Sequence, residues 1–463
     1  MTIDRDYIGG NIHVLGAEGD MVRVENELRD TQGDWFYWAF RVRGAAGRTL
    51  TFDFGDKAWV GPWGAAVSHD GVNWTWGGAA SEDGKRFTYA FAPDEAEVYF
   101  CHDLHYAPAR FERAAVELKL SVQELTVSRG GGSVPYVTLG AGERRILLTA
   151  RHHACESTGD YVMEGFLREF AVDPLAGFSV IAVPFVDYDG VIHGDQGKNR
   201  APHDHNRDYT DAPIYPEVRA IKALAEQNIY YALDLHSPWH RGNPGNPEDS
   251  TDYIHLVRKN REKQEMQDSF SALFERETAR DPRALRYEGT HDVHINTLWN
   301  QEGVMKSSCG AFYAFEPRTR LAVTVESPYY GLAGNAVTAE ALVEEGRCLY
   351  RALRAFHREH GEAELEARAA MSAGAGFGGF FDDRWRAIRK RVDRPFFCFS
   401  AAKTLKQGSG FFRNAERNLS AVPFSFKTRE RFRNPWKPVW LVRDVPPSGA
   451  RRVLRMLGAI LPR

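Results

Sequence analysis

Hydrophobic and polar positions divide the chain into three stretches. Up to about residue 125 the apolar side chains recur at every second position. Phe36, Trp38, Phe40 and Val42 alternate with Tyr37, Ala39 and Arg41, which predicts a strand with one heavy apolar face. Leu50, Phe52 and Phe54 repeat the pattern after a glycine turn at 44–47, and Val98 and Phe100 repeat it after Pro93-Asp94. Short strands between Gly- and Asp-rich turns read as an antiparallel β-sandwich. Trp35, Trp38, Trp59, Trp63, Trp74 and Trp76 suit a carbohydrate platform, but such residues more often fill cores and inter-domain seams.

From about 126 to 362 the period changes. Residues 144–150 read as a buried strand, and 178–186 are a nearly continuous apolar run, as a parallel strand covered on both faces requires. Residues 229–235 and 321–325 read as two further strands. Helical spacing appears at 160–170, from Pro216 onward, at 262–280 and at 338–357. This alternation predicts an α/β fold: a mixed, mostly parallel sheet with helices on both faces, preceded by the sandwich. Beyond a Gly-rich break at 374–379 the tail is strongly basic, with Phe396-Phe397 and Phe411-Phe412 in it. Residues 363–463 are expected to be a solvated, partly disordered extension or a small packing arm. That reading is favoured over a nucleic-acid arm, and the charge suits contact with an acidic partner.

Composition alters this picture little. A chain of 463 residues holds two or three domains at roughly 100–200 residues each. Its net charge of -3 gives no global attraction to nucleic acid or membrane. Five cysteines, an odd number without regular spacing, fit a reducing compartment and not a disulfide framework. Residues 1–10 have no apolar leader, and no uncharged run approaches the roughly 18 residues needed to span a bilayer. A cytoplasmic location is expected.

Chemistry enters at the strand ends. After 144–150 comes Arg151-His152-His153-Ala154-Cys155-Glu156-Ser157-Thr158-Gly159, which puts His153 and Glu156 in a strand-to-helix turn. Open α/β sheets bind ligands at such turns. An imidazole with a carboxylate suits Zn²⁺, and a catalytic zinc takes a third protein ligand and keeps one open position. His236 ends the next strand, in Leu233-Asp234-Leu235-His236-Ser237, and is the natural third ligand. Glu326 ends another, in Val323-Thr324-Val325-Glu326-Ser327, and is the natural general base beside a metal. HxxE alone is weak, and so is a lone strand-end His; their joint placement is what carries weight. The spacing is neither HExxH nor HxxEH. Between these strands lie Lys198, Arg200 and Asp204-His205-Asn206-Arg207-Asp208, a polar loop suited to clamping a carboxylate through its guanidinium. His203 and His205 are set aside as metal ligands because zinc is already provided for.

Together these residues resemble the M14 zinc metallocarboxypeptidase family, in its cytosolic-carboxypeptidase-like branch, over about residues 20 to 360. The resemblance rests on Asp34-Trp35-Phe36-Tyr37 and Phe40-Arg41-Val42, on Ala150 through Gly159, and on Val162-Met163-Glu164-Gly165. It continues through Asp189-Gly190-Val191, Asp204 to Arg207, His236 and Thr324 to Ser327. It implies the metallocarboxypeptidase fold, with a sandwich at 1–125, a catalytic domain at 126–362 and the extension at 363–463. It also implies one Zn²⁺ held by His153, Glu156 and His236, Glu326 as base, Asn206 and Arg207 on the substrate carboxylate, and Asp204 orienting His153. The expected activity is hydrolysis of the C-terminal peptide or isopeptide bond of a peptide or protein. Alternatives are a zinc deacylase of small N-acyl amino acids and a non-catalytic zinc-bearing binding protein.

The chain departs from the family in two places. The oxyanion cation of the family aligns with Gly197, so Lys198 is expected in that role, with Arg200 second. Members that remove glutamate carry an arginine where Ala311 stands, so glutamate is not assumed; Lys306, Arg318 and Arg320 are the nearby cations. The tyrosine that closes over substrate is also missing: Val304 stands near its spacing, and Tyr313 is a loose substitute.

Overall fold

The first hundred residues fold into two five-stranded sheets. One has the order β1 (Thr2–Asp4), β4 (Ala39–Arg43), β10 (Glu97–Cys101), β6 (Ala65–Ser68), β7 (Thr75–Gly77), and is antiparallel throughout. The other has the order β2 (His13–Glu18), β3 (Met21–Glu25), β5 (Thr49–Asp53), β9 (Arg86–Ala90), β8 (Ala79–Ala80). Its β3–β5 pairing is parallel, one departure from an all-antiparallel sandwich. From Trp38 on, the period-2 face is where the pattern put it; Phe36 lies before β4 and packs instead with Tyr329 and Tyr330. Trp38, Phe40, Val42, Leu50, Phe52, Val98 and Phe100 share one core, with Trp38 stacked on Phe87 at 5.5 Å.

The opposite face of that chain segment is buried too. Tyr37 and Ala39 belong to the core of the larger sheet, so the segment is the seam between two cores. Two of the tryptophans serve the same seam, while Trp38 fills the sandwich core. Trp63 Nε1 donates to Tyr330 O at 2.8 Å, and Trp76 Nε1 donates to Val337 O at 2.7 Å.

After α1 (Pro108–Glu117) comes a seven-stranded sheet. Its order is β11 (Val122–Val127), β12 (Ser133–Gly140), β14 (Phe178–Val183), β13 (Arg144–Ala150), β15 (Ile229–His236), β17 (Leu321–Glu326), β16 (His255–Val257). The four inner strands, β14, β13, β15 and β17, are mutually parallel, and the outer three pair antiparallel. This is the mixed α/β sheet that the sequence implies. The inner strands alternate between two cores. Ile146 and Leu148 face α2 (Thr158–Val172), α5 (Gln264–Arg280) and α7 (Ala339–His360). Leu147 and Ala232 face α4 (Pro216–Ala223) and α6 (Cys309–Phe315), and the short α3 (Tyr188–His193) precedes the polar loop. Helices therefore cover both faces. Gly165 on α2 and Gly346 on α7 let these helices touch: a Cβ at Gly346 would lie 1.9 Å from Val162 O.

This computed structural model describes residues 1–240, 252–301, 305–332 and 335–361, with the backbone of 398–399 and 440–441. The chain divides into two compact units, Met1–Glu362 and Ala363–Arg463. The expectations for Val304, for the break at 374–379 and for the basic extension lie outside the described residues. Among the described residues no helix is long and apolar enough to cross a membrane.

Candidate metal centre and its cleft

The candidate centre forms where β13, β15 and β17 end. Their register sets Ala150 opposite Leu235 and His236 opposite Glu326, so residues far apart in sequence meet at one sheet edge. β13 enters α2 through a turn in which Arg151 has a φ of 60°. A residue with a Cβ adopts that left-handed backbone at a cost of about 1–2 kcal/mol. The buried guanidinium offsets this by holding the turn. Its Nη1 donates to Ser157 Oγ at 2.6 Å and reaches Asp160 Oδ2 at 3.4 Å.

That turn aims His153 and Glu156 at His236. His153 Nδ1 is 2.9 Å from Glu156 Oε1, and His236 Nδ1 is 2.6 Å from Glu156 Oε2. All three side chains are buried, and their donor atoms lie within 4.8 Å of one another. Two imidazoles and a carboxylate are the donor set of a catalytic zinc with an open position, so these residues fit that ion. Each imidazole turns its second nitrogen toward another carboxylate. His236 Nε2 is 3.0 Å from Asp234 Oδ2. His153 Nε2 is 3.8 Å from Asp204 Oδ1, a buried oxygen with no hydrogen-bond partner among the described residues. Carboxylates placed so fix the tautomer and raise the basicity of a ligating imidazole.

Two other donor clusters are less suited to catalysis. His152, Asp234 and His236 share a residue with the first set. There Asp234 Oδ1 accepts from Thr149 Oγ1 at 2.8 Å and lies 2.9 Å from His152 Nδ1, while His152 Nε2 is 2.8 Å from Tyr209 Oη. This cluster closes on itself and braces His236. Cys101, His102 and Asp103 are fully buried at the seam, where no substrate reaches them.

Burial opposes ionisation of Glu156, but His153, Lys198 and His236 outweigh it and hold the carboxyl well below its usual range. Burial pushes His153 down to about 4, which keeps it neutral, as a metal ligand must be. Burial also opposes protonation of His236, yet Asp234 and Glu156 outweigh it and raise that imidazole well above its usual value.

The polar loop divides its expected residues. Lys198 reaches the centre: its Nζ is 2.5 Å from Glu156 Oε1 and 5.2 Å from the centroid of the Trp35 ring. Burial works against its charge, but Glu156, Cys155 and Glu326 outweigh burial and keep it cationic. Arg200 does not reach the centre. Its three nitrogens lie 3.0 Å from Asp30, 2.8 Å from Asp187 and 2.9 Å from Asp195, so the guanidinium is consumed in pinning the loop. Gly197 holds no side chain for a physical reason: its φ is 72°, and a Cβ there would lie 2.1 Å from Ala154 N.

Asn206 and Arg207 share one 3-10 turn, His205–Arg207. The Asn206 amide is 3.2 Å from His236 Nε2, and its Oδ1 accepts from Cys309 N at 3.0 Å. Arg207 Nη1 donates to Asn206 O at 2.9 Å, and its guanidinium meets no carboxylate among the described residues. His203 lies 2.7 Å from Asp208, and His205 stacks on Tyr215 at 3.7 Å, so neither joins the centre. Tyr313 is buried away from it and donates to Ile221 O at 2.6 Å. Arg318 and Arg320 precede β17, roughly 20 Å of strand from Glu326, and Arg318 pairs with Glu226 at 3.2 Å.

Three contributors escaped the sequence reading. Asp234 lies two residues before His236 on the same strand face, a spacing the period of two could have flagged. Asp30 accepts from the backbone N–H of Gln196 at 3.0 Å and of Gly197 at 2.8 Å, which ties the polar loop to the first hundred residues. Lys259, two residues past β16, is buried near Glu326 and Arg207.

With this geometry in place, the comparisons concern fold. No family model matches the chain. An uncharacterised protein of Zymomonas mobilis is 27% identical over 259 residues, covering 51% of this chain and 67% of that protein. The structure matches a metallo-carboxypeptidase from Burkholderia cenocepacia with a TM-score of 0.63 at 19% identity, over 77% of this chain and 99% of that one. It also matches a metallo-carboxypeptidase from Pseudomonas aeruginosa, solved with (2-guanidinoethylmercapto)succinic acid, with a TM-score of 0.62 at 19% identity, over 78% and 100% of the two chains. The chain thus has the fold of these bacterial metallo-carboxypeptidases. At such identities the likeness is one of architecture, and function has to be argued from the site.

Proposed function

We propose that the chain is a zinc carboxypeptidase that hydrolyses the C-terminal peptide or isopeptide bond of a peptide or protein. The observation that carries this is Glu326 standing opposite His236, beside the His153–Glu156–His236 set. When bound there, zinc supplies Lewis acidity toward the scissile carbonyl and toward water. Glu326 takes a proton from the attacking water and returns it to the leaving amine. Arg207 and Asn206 hold the C-terminal carboxylate, and Lys198 meets the negative charge that develops on the carbonyl oxygen. Asp204 and Asp234 keep the two imidazoles oriented. In this reading residues 126–362 carry the chemistry and 1–125 brace the polar loop. The sandwich is the reason to place the chain near the cytosolic-carboxypeptidase-like branch. The unpaired Cys101, Cys155, Cys309 and Cys348 support a cytoplasmic setting.

The test is release of the last residue from a panel of blocked peptides by the zinc-loaded protein. Release is expected to stop on chelation and return with added zinc. Hydrolysis of N-acyl amino acids without any peptide cleavage would favour the deacylase reading instead.

A further inference from the structure

We propose that Cys101, His102 and Asp103 hold a second divalent ion, a Zn²⁺ that serves structure at the seam between the sandwich and the larger sheet. The family resemblance implies one ion, in the cleft. The seam trio shares no residue with that centre and does not depend on the carboxypeptidase reading. The starting point is an imidazole with nothing to bond. His102 is fully buried, and among the described residues neither of its ring nitrogens has a hydrogen-bond partner. Aromatic rings surround it, with centroids at 4.8 Å for Tyr329, 5.1 Å for Phe36 and 5.7 Å for Tyr37. A buried polar group left unpaired costs about 1–3 kcal/mol, and an imidazole has two nitrogens to satisfy. Asp103 is fully buried as well, and its Oδ2 also lacks a partner among the described residues.

The donor atoms converge. Cys101 Sγ is 3.2 Å from Asp103 Oδ1, and His102 Nδ1 is 3.4 Å from the same oxygen. The three residues offer ligand atoms within 4.8 Å of one another. Zinc bonds of about 2.3 Å to sulfur and about 2.0–2.1 Å to nitrogen or oxygen place tetrahedral ligands about 3.3–3.5 Å apart. Both contacts to Asp103 Oδ1 lie close to that spacing. A gap of 3.4 Å between ring nitrogen and carboxylate oxygen is long for a hydrogen bond but right for two ligands of one ion. Asp103 Oδ2 supplies the fourth position, since a carboxylate can bind through both of its oxygens.

The chemistry selects the ion. Thiolate, imidazole and carboxylate suit zinc, whereas magnesium and calcium take oxygen ligands alone. The thiol gives up its proton to solvent as the ion binds. Thiolate and carboxylate then cancel the two positive charges, so the buried assembly is neutral.

Local structure explains how three consecutive residues can face one point. β10 ends at Cys101, which pairs with Ala39 on one side and Ala66 on the other. His102 N still donates to Trp38 O at 3.0 Å, but the chain bends at 102–103, and the alternation of side chains across a strand stops there. The larger sheet meets this bend through Tyr330, whose Oη donates to His102 O at 3.3 Å, and through Tyr329 against the His102 ring. Both tyrosines lie within four residues of Glu326. An ion at the bend therefore steadies the chain that leaves β17.

The experiment counts metal per chain in full-length protein folded with Zn²⁺ and stripped of loosely held metal by gel filtration. Two ions are expected. One is expected in Cys101→Ser, in His102→Phe, which keeps a ring in the aromatic cage, and in His153→Ala, which disables the cleft set. Zinc should still raise the Tm of His153→Ala by about 5 °C, since the seam ion remains. The cobalt-substituted protein should show a thiolate-to-metal charge-transfer band, because the cleft set contains no sulfur. That band should persist in His153→Ala and Cys155→Ser and be absent from Cys101→Ser. A cobalt form of the unmodified protein without the band overturns the proposal, and so does a band that survives Cys101→Ser. The first of these needs no variant, so a variant that fails to fold does not shield the proposal. One ion per chain together with the band would keep the seam site and remove the ion from the cleft, so failure of the carboxypeptidase reading is seen separately.

Discussion

Glu326→Gln is expected to lower kcat by roughly 10³-fold, at the middle of the range for a lost general base. Zinc content, KM and Tm should stay near those of the unmodified protein. The glutamine has the same size and keeps the backbone pairing of position 326 with His236 and His255. The carboxylate makes no hydrogen bond to the described residues, so no structural contact is lost. What glutamine cannot do is accept a proton. Single-turnover hydrolysis with parallel metal analysis measures this. Unchanged turnover would mean that another group moves the proton.

Asp234→Ala carries the second large effect, and it acts on stability and metal together. Asp234 lies within hydrogen-bond reach of His236 Nε2 at 3.0 Å, His152 Nδ1 at 2.9 Å and Thr149 Oγ1 at 2.8 Å. Burial opposes its charge, but His152 and His236 outweigh burial and hold the carboxyl well below its usual range. Removing one member of such a buried set leaves the others uncompensated, which costs about 3–5 kcal/mol. Loss of the carboxylate behind a ligating imidazole also weakens metal affinity by about 10–100-fold. Asp234→Asn keeps the shape and should restore much of the stability while zinc affinity stays reduced. Denaturant unfolding and zinc titration separate the two effects. Native zinc affinity in the alanine variant would show that Asp234 does not support His236.

The fold was legible where burial leaves a strong pattern. The parallel strands β13, β14, β15 and β17 are covered on both faces, so their apolar runs stand out. The outer strands β11 and β16 do not: Val122–Val127 is largely exposed, and His255–Val257 is three residues long. Strands β11 and β16 are absent from the sequence reading for that reason, although it gives the sheet as mixed. The centre was legible because its donors sit at strand ends, where chain order and sheet order coincide. His153, Glu156, His236 and Glu326 needed no side-chain detail to be brought together.

The rest depended on packing. Lys198 and Arg200 are two residues apart with similar chemistry. A carboxylate from residue 30 and two more from 187 and 195 send Arg200 away from the centre. Lys259 follows a three-residue strand, so nothing in its local sequence separates a buried lysine from a surface one.

The most direct test of the account is the position of the metal. Anomalous scattering at the zinc edge from crystals of the zinc-loaded protein should place one ion bound by His153 Nδ1, Glu156 and His236 Nδ1, with Glu326 beside it. Zinc bound instead by His152, Asp234 and His236, or at Cys101–His102–Asp103 alone, would contradict it.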